Sequence, residues 1–218
     1  MGFADALKAR AKRTKPWARA EEVPWRGARY VVVDVETTGL DLGKDEIISI
    51  GAVEVIDGRV SSEHFYRVVH TERPISVDAI RIHCLTQEDL VGAPAVGDVL
   101  AELRELVSGA AIVAHAAWVE RAFLNRQLRM VGERVPDQLV DTAALARALD
   151  LAPVGRQEPS LEGLAKHLNL PVYTPHHALM DAITTAVLFL ALAHRLEAVQ
   201  SDPLTLDGLL GLSQRHGN

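Results

Sequence analysis

The chain has 218 residues, of which 48% are hydrophobic and 24% are charged. This balance argues against intrinsic disorder, and the length suits one substantial domain with short appendages. The formal net charge of −6 does not indicate nucleic-acid binding. It does not exclude it either, because metal ions could neutralise part of the acidic charge.

The single cysteine, Cys84, excludes an internal disulfide and a cysteine metal site. It fits a reducing compartment, so we expect a cytoplasmic protein whose metal ligands, if any, are oxygens and imidazoles. The most apolar run, residues 182–193, is too short to span a bilayer. It predicts a buried helix, and no membrane association is expected.

Residues 1–25 are predicted to form a basic arm. Before Glu21 the only acid is Asp5, against six cations: Lys8, Arg10, Lys12, Arg13, Lys15 and Arg19. Two interpretations remain open, a frayed and solvated helix or an arm that lies on phosphates.

Three antiparallel strands are predicted first, at residues 28–36, 46–56 and 59–69. The Asp57-Gly58 pair between the second and third is typical of a hairpin turn.

Helices and short strands then alternate. The spacing of apolar residues predicts helices at 95–109, 120–132, 142–151, 160–170 and 177–199, a short helix or turn at 76–85, and strands at 110–117 and 138–142. This order predicts one α/β domain over residues 26–198, with a mixed five-stranded sheet, three antiparallel strands followed by parallel ones, flanked by helices.

Residues 199–218 are predicted to form a C-terminal tail. Its segment 203–212 is amphipathic but is interrupted by Gly208 and Gly211. It would either bind a partner or dock on its own domain.

Acidic residues interrupt the apolar pattern at three places. Asp34 and Glu36 lie two residues apart at the end of the first strand, so their side chains leave the same face with Cα atoms about 6.5 Å apart. Glu120 opens a helix after a buried strand, and Asp181 lies on the first turns of the most apolar helix.

Buried carboxylates need a compensating charge, because each one left unpaired costs several kcal/mol. Taken singly, each acid is compatible with a cap, a salt bridge or an exposed strand end, and Glu120 with a helix N-terminus. Taken together, they favour divalent cations with hard oxygen ligands, Mg²⁺ or Mn²⁺, as a two-ion site. His176 precedes Asp181 by five residues and is suited to accept a proton there, whereas His177 is interpreted as a surface or N-cap residue.

The motifs resemble those of the DEDDh (DnaQ-like) 3′–5′ exonucleases over residues 28–195. VDVETTGL (33–40) is similar to the first motif of that family, and HHALMDA (176–182) to the third. IRIHCLTQEDL (80–90) is similar to an I-H-G-I-T segment, with Cys84 in place of glycine, and VDTAALAR (140–147) resembles a D-T-L-x-L-A-R segment.

The resemblance implies an RNase H-like fold and hydrolysis of nucleic acid from its 3′ end. Asp34, Glu36, Glu120 and Asp181 would bind two metal ions, and His176 would be the general base. Substrate contacts would come from Thr37, Thr38, Gly39, Leu40, His83 and His115.

The middle motif departs from the family pattern H-N-A-x-F-D. The chain has HAAWVE (115–120), so Ala116 replaces an amide, Val119 an aromatic ring and Glu120 an aspartate. Displacing a catalytic group by about 1 Å can cost on the order of 100-fold in rate.

A second interpretation is therefore a weakened or inactive module that binds 3′ ends or a protein partner. Within the enzyme class, DNA and short RNA remain open as substrates, and a proofreading role would need a polymerase or repair partner.

Overall fold

The structure is a computed structural model, and it describes residues 23–129, 138–152 and 158–217. Residues 1–22 of the predicted basic arm and the predicted helix end at Gly132 lie outside the described residues. So do residues 153–157, between the predicted helices 142–151 and 160–170, where the sequence predicts a loop over Pro153 to Pro159.

The sheet has five strands in the order β3-β2-β1-β4-β5. The strands are β1 (Tyr30–Thr37), β2 (Ile47–Ile56), β3 (Arg59–Val68), β4 (Ala111–Ala114) and β5 (Leu139–Asp141). β1, β2 and β3 are antiparallel, whereas β4 runs parallel to β1 and β5 parallel to β4. The predicted mixed sheet is confirmed.

Seven α-helices lie in the described part of the chain. They are α1 (Val77–His83), α2 (Val96–Val107), α3 (Trp118–Arg129), α4 (Thr142–Ala148), α5 (Leu161–His167), α6 (Ala178–Val199) and α7 (Leu206–His216). The segment at 76–85, for which a helix or a turn was open, is a helix with Ser76 as its N-cap.

Helices cover both faces of the sheet. On one face, Val31, Val33 and Val35 of β1 pack into a core shared with α2 and α3. On the other face, Tyr30 and Val32 pack into a core shared with α4, α5, α6 and α7. The alternation of a strand explains this division, because successive side chains point to opposite faces. Asp34 and Glu36 therefore continue the row that faces α6.

Helix α6 packs on the face of β1 and β2. Of the described helices it is long and apolar enough to cross a membrane by length and composition, but Leu188, Phe189 and Leu192 are fully buried in the core. At its first turn the backbone lies directly against Gly51, where a Cβ atom would overlap backbone atoms of Ala178 and Leu179. Glycine is required there because only hydrogen fits between strand and helix.

The C-terminal segment folds onto the same domain. Helix α7 buries Leu206 and Leu209 in the α6-side core, and the Ser213 hydroxyl accepts a hydrogen bond of 3.0 Å from the backbone N–H of Asp141 in β5. The guanidinium of Arg147, a buried residue of α4, donates to the carbonyl of His216 and pairs with Glu158. Of the two roles left open for residues 203–212, this is docking on the domain itself.

Replacing Gly51 with alanine should destabilise the fold and weaken the acidic site. The added methyl group would push the first turn of α6 off the sheet, and overpacking typically costs about 1–3 kcal/mol or more. Urea unfolding should show this loss, and calorimetric titration with Mn²⁺ should show weaker binding because Asp181 lies in that turn. Gly97→Ala is the matched control, since open space surrounds Gly97 in α2. Equal stability of the two variants would contradict the close approach.

Candidate active site

Three of the predicted ligands converge at the end of β1. Asp34 lies opposite Gly51 of β2, against which the first turn of α6 packs, and this turn carries Asp181. One carboxylate oxygen from each of Asp34, Glu36 and Asp181 lies within 4.8 Å of the other two. The side chains are half-buried, and oxygens at this spacing suit a hard divalent cation. The structure therefore brings together three of the four predicted metal ligands.

Electrostatic repulsion accompanies this convergence. Burial raises the pKa of Glu36 to about 8, and the neighbouring charge of Asp181 adds to the effect. Burial likewise raises the pKa of Asp34 well above its usual range, with further contributions from Glu120, Glu36 and Asp181. The pKa of Asp181 is also raised by burial. A bound cation would reverse these shifts, because it favours the charged carboxylates.

Glu120 lies beside this group rather than within it. Its side chain is buried in the first turn of α3, and Oε2 has no hydrogen-bond partner among the described residues. Burial raises its pKa to about 8, and the charges of Asp141 and Glu36 contribute. A buried carboxylate oxygen that accepts no hydrogen bond is suited to bind a cation, because nothing else compensates for its loss of solvation. Glu120 thus fits the predicted fourth position, although it is outside the set of three.

The backbone just before α3 is left-handed at Ala116, where φ is 53°. Asparagine, which the resemblance leads one to expect at this position, tolerates that conformation better than alanine does. The departure in the middle motif therefore has a conformational cost as well as a chemical one.

His176 lies at the mouth of the site. Its backbone is left-handed, with φ 58°, and its N–H donates a hydrogen bond of 2.8 Å to Asp181 Oδ2. This bond fixes the turn to the carboxylate and leaves the imidazole exposed. His176 and Asp181 line a cleft of about 390 Å³ together with Pro175 and with Ser160 to Gly163 and Lys166 at the start of α5. His177 is the N-cap residue of α6 without a side-chain cap bond, and its ring stacks on Tyr66 with 4.6 Å between centroids.

Four of the six predicted substrate residues, Thr37 to Leu40, lie at the end of β1 and in the loop that follows it, and the two threonine hydroxyls bond within this segment. Thr37 donates to the carbonyl of Gly39, and Thr38 donates to Asp45. Both threonines are buried, whereas Leu40 is 81% exposed. A Cβ on Gly39 would lie 2.5 Å from Asp45 Oδ2, so a larger residue there would displace the Asp45 carboxylate. Leu40 is thus the member of the four that presents a side chain to solvent.

Asp45 organises this loop, and sequence reasoning missed it. Besides Thr38, it accepts hydrogen bonds from the N–H of Asp41 and from Arg73. Arg126 of α3 donates to the carbonyl of Asp45 at 2.7 Å, which ties the loop to the helix that carries Glu120. The sequence signal is weak, since one aspartate in a polar loop is common.

His83 and His115 are both anchored inside the protein. The carbonyl of Thr37 can only accept, so His83 Nε2 donates to it at 3.2 Å, and Nδ1 accepts from the N–H of Leu85. His115 Nε2 donates to the carbonyl of Pro159 at 2.7 Å, and Nδ1 pairs with the Thr142 hydroxyl at 2.9 Å. Burial lowers the pKa of both imidazoles. Their nitrogens therefore brace the site, and the predicted substrate contacts stay a prediction.

Asp141 is a second buried acid that sequence reasoning did not place in the site. It ends β5, beside the end of β4, and caps α4 by accepting from the N–H of Ala143. Burial raises its pKa, and its charge contributes to the raised pKa of Glu120. The signal available in the sequence was a strand ending in Asp-Thr before a helix, which also reads as an ordinary N-cap.

A family model described as Exonuclease (RNase_T) matches residues 31–189, which include every acid of the site. The chain belongs to the exonuclease family. Its motifs and fold place it among the DEDDh-type members with an RNase H-like fold, as the resemblance implied.

Relatives and solved structures of this exonuclease domain agree. A DNA polymerase III subunit epsilon-like protein of Rhodobacter capsulatus is 34% identical over 90% of this chain, and a PolC-type DNA polymerase III of Thermotoga petrophila is 34% identical over 80%. The alignments span only 28% and 12% of those two proteins. A structure of Exonuclease X in complex with 5′ overhanging duplex DNA is 28% identical, with a TM-score of 0.66, and the match covers 84% of this chain and 99% of that one.

Without metal, the exonuclease domain should lose stability as the pH rises. The pKa values of Glu36 and Glu120 are about 8 in the folded protein, against an ordinary value of about 4.5. The stabilisation from these protonated groups is complete below the ordinary value and is lost as the pH rises through about 8. In a chelator, the melting temperature should fall by several degrees between about pH 6 and pH 9.

Added Mn²⁺ should recover most of that loss at about pH 8, because it binds the deprotonated cluster. Glu36→Gln should flatten the fall, whereas Glu105→Gln, which changes an exposed acid of α2, should not. A melting temperature that is independent of pH in chelator would contradict the raised pKa values.

Proposed function

We propose that the chain is a metal-dependent 3′–5′ exonuclease that releases nucleoside 5′-monophosphates. The observation that carries this proposal is the convergence of Asp34, Glu36 and Asp181 within 4.8 Å at the end of β1, in a domain of the exonuclease family. Cleavage of a phosphodiester needs charge neutralisation at the phosphoryl oxygens and a base for the attacking water. The site offers residues for both tasks.

Two Mg²⁺ or Mn²⁺ ions are the proposed cofactors. Asp34, Glu36 and Asp181 would hold them, with Glu120 as a further ligand through its unpartnered Oε2. When bound, the ions would supply Lewis-acid stabilisation of the charge that develops on the phosphate and the leaving oxygen. Asp34 is the central acid of this set, since the charges of Glu120, Glu36 and Asp181 all raise its pKa.

His176 is the proposed general base. Its exposed imidazole projects from a turn that is fixed to Asp181 through the backbone N–H. A neutral imidazole can accept the proton of an attacking water. Leu40, exposed at the loop beside the site, would pack against the base of the terminal nucleotide.

DNA is the proposed substrate, and the relatives support it. The two curated relatives are named as DNA polymerase III proteins, and the structure of Exonuclease X contains duplex DNA with a 5′ overhang. Short RNA is the alternative, which a comparison of matched oligonucleotides would decide. A polymerase or repair partner is proposed on the same basis. A cytoplasmic location without membrane association stays a proposal that rests on the sequence, which has a single cysteine. Because α7 buries its apolar residues in the domain, such a partner would have to use another surface.

A second candidate function is a weakened module that binds 3′ ends. The observations in its favour are that Glu120 lies outside the group of three carboxylates and follows a left-handed alanine. Calorimetric titration separates the two functions. An exonuclease should bind two divalent ions, whereas a binding module should bind one ion weakly.

Asp34→Asn and Asp181→Asn should each reduce cleavage of 3′ ends by more than about 1,000-fold. Each variant removes charge from the group that neutralises the phosphate, an effect worth roughly 4 kcal/mol in other enzymes. The measurement is shortening of single-stranded DNA labelled at its 5′ end, with Mg²⁺ or Mn²⁺. The control is Asp207→Asn in the first turn of α7. Full activity in both site variants would sink the proposal.

Glu120→Asp tests the fourth ligand. Shortening the side chain by one methylene restores the residue that the family motif carries, so we expect faster turnover, by up to about 100-fold if Glu120 now sits about 1 Å from the best position. Combining it with Ala116→Asn should add to the gain by relieving the left-handed alanine. Slower turnover in Glu120→Asp would show that the site has adapted to glutamate.

A further inference from the structure

Tyr66 of β3 lies beside the acidic site, on the face of the sheet that α6 covers. The register places Tyr66 opposite Gly51 of β2, and Gly51 opposite Asp34 of β1. Side chains directly opposite each other in neighbouring strands point to the same face, so Tyr66 and Asp34 flank Gly51 on its two sides. Tyr66 is half-buried, and β3 is the outermost strand on its side of the sheet.

The first turn of α6 occupies the space above Gly51. A Cβ atom on Gly51 would overlap backbone atoms of Ala178 and Leu179, so the start of the helix lies directly on the strand. Because Gly51 lies between Tyr66 and Asp34, the start of α6 is seated between these two side chains. Tyr66 is therefore in a position to limit how far this turn can move towards the edge of the sheet.

His177, the N-cap residue of α6, is in contact with Tyr66. The two ring centroids are 4.6 Å apart and the ring planes differ by 25°, which is a stacked arrangement at a distance that aromatic pairs favour. Nδ1 of His177 is buried and has no hydrogen-bond partner among the described residues, and the side chain does not cap the helix. The His177 ring is therefore held by stacking on Tyr66 rather than by a hydrogen bond of Nδ1.

Two hydrogen bonds connect this turn to Asp181. The carbonyl of His177 accepts from the N–H of Asp181 at 2.9 Å, and the N–H of His176 donates to Asp181 Oδ2 at 2.8 Å. Asp34 and Glu36 belong to β1 and do not move with the turn. A displacement of His177 would therefore shift Asp181 relative to the other two carboxylates of the site, and would shift His176 with it.

Tyr66 supports the turn without adding a charge to the acidic site. Burial raises the pKa of its phenol, the Ser49 hydroxyl opposes this rise, and the charge of Glu36 adds to it. The phenol is therefore protonated and neutral at physiological pH. A lysine or arginine at this position would compete with cations for the carboxylates, whereas a neutral ring does not.

We propose that Tyr66 is a positioning residue of the metal site. Its ring, stacked on His177, sets the place at which the first turn of α6 holds Asp181 and His176. The effect on catalysis rests on the proposed function, whereas the effect on cation binding is independent of cleavage. The proposal makes β3 part of the site, although none of the expected metal ligands lies on that strand.

Tyr66→Leu tests this role by removing the ring while keeping an apolar side chain. An aromatic pair changes an equilibrium by about 2- to 13-fold, so the affinity for Mn²⁺, measured by calorimetry, should fall by about that factor. Turnover should fall by about 10- to 100-fold, because misplacing a catalytic group by about 1 Å can cost that much. Tyr66→Phe keeps the ring and should stay within about twofold of the parent in both measurements. Equal losses in Tyr66→Phe and Tyr66→Leu would overturn the stacking role.

Phe65→Leu separates positioning from a general loss of stability. Phe65 precedes Tyr66 in β3, but it points to the other face and is buried in the core shared with α2 and α3. Its truncation should lower the melting temperature at least as much as Tyr66→Leu does. At a temperature where both variants are folded, Phe65→Leu should nevertheless bind Mn²⁺ as the parent does. Equal losses of Mn²⁺ affinity in the two variants would show that Tyr66 acts only through stability, and would overturn the proposal.

A double-mutant cycle tests the contact with His177. His177→Ala removes the other ring of the stack, so its effect should not add to that of Tyr66→Leu. The double variant should bind Mn²⁺ within about twofold of the weaker single variant. Additive losses would contradict the route through His177. If Tyr66→Leu does not fold, His177→Ala carries the test alone, and an Mn²⁺ affinity equal to that of the parent would overturn the proposal.

Cation binding separates this proposal from the proposed function. If the parent binds Mn²⁺ but does not shorten labelled DNA, the proposed exonuclease activity fails, and the calorimetric comparison of the variants still decides the role of Tyr66. If the parent cleaves DNA and Tyr66→Leu matches it in Mn²⁺ affinity and in turnover, the positioning role alone fails. A parent that binds no Mn²⁺ would overturn both.

Discussion

Mutual repulsion among carboxylates is the constraint on which the architecture around β1 depends. The charge of Asp181 raises the pKa values of Asp34 and Glu36, the charge of Glu36 raises that of Asp34, and burial raises the pKa values of all three. The favourable energy that holds them comes from elsewhere, from the apolar row of β1 packed on α6 and from the contact at Gly51. Hydrophobic packing thus holds the carboxylates in an arrangement whose electrostatic energy is unfavourable until cations bind.

The residues around the site divide into those that brace it and those that face solvent. Thr38, His83 and His115 direct their polar atoms into the protein, toward Asp45, Thr37 and Pro159 respectively. Leu40, Trp118 and His176 are exposed around the same edge of the sheet. Such a division preorganises the site, because the bracing bonds are formed before any substrate binds. Helix α7 contributes to this bracing through two hydrogen bonds. Ser213 of α7 accepts from the backbone of Asp141 at the end of β5, and Arg147 of α4 donates to the carbonyl of His216 in α7.

The sequence predicted the sheet, its order of antiparallel and parallel strands, and the acids at the end of β1, because alternation and interruption of apolar runs are local signals. It did not predict the role of Gly51, since the need for glycine arises from a helix more than 120 residues further along the chain. Nor did it reveal Asp45 or Asp141, whose partners lie in other elements or in loops. The two histidines were placed near the site, but whether their nitrogens face inward depends on carbonyls that only the tertiary structure brings close.

Three residues at this edge have left-handed backbones without being glycine: Cys84, Ala116 and His176. Each such residue costs roughly 1–2 kcal/mol relative to its preferred conformation, so the turns do not hold their shape by themselves. The surrounding packing imposes it. The active site is therefore a reporter of the stability of the whole domain. Damage to a distant part of the core would relax these turns first, and function would decline before the fold is lost.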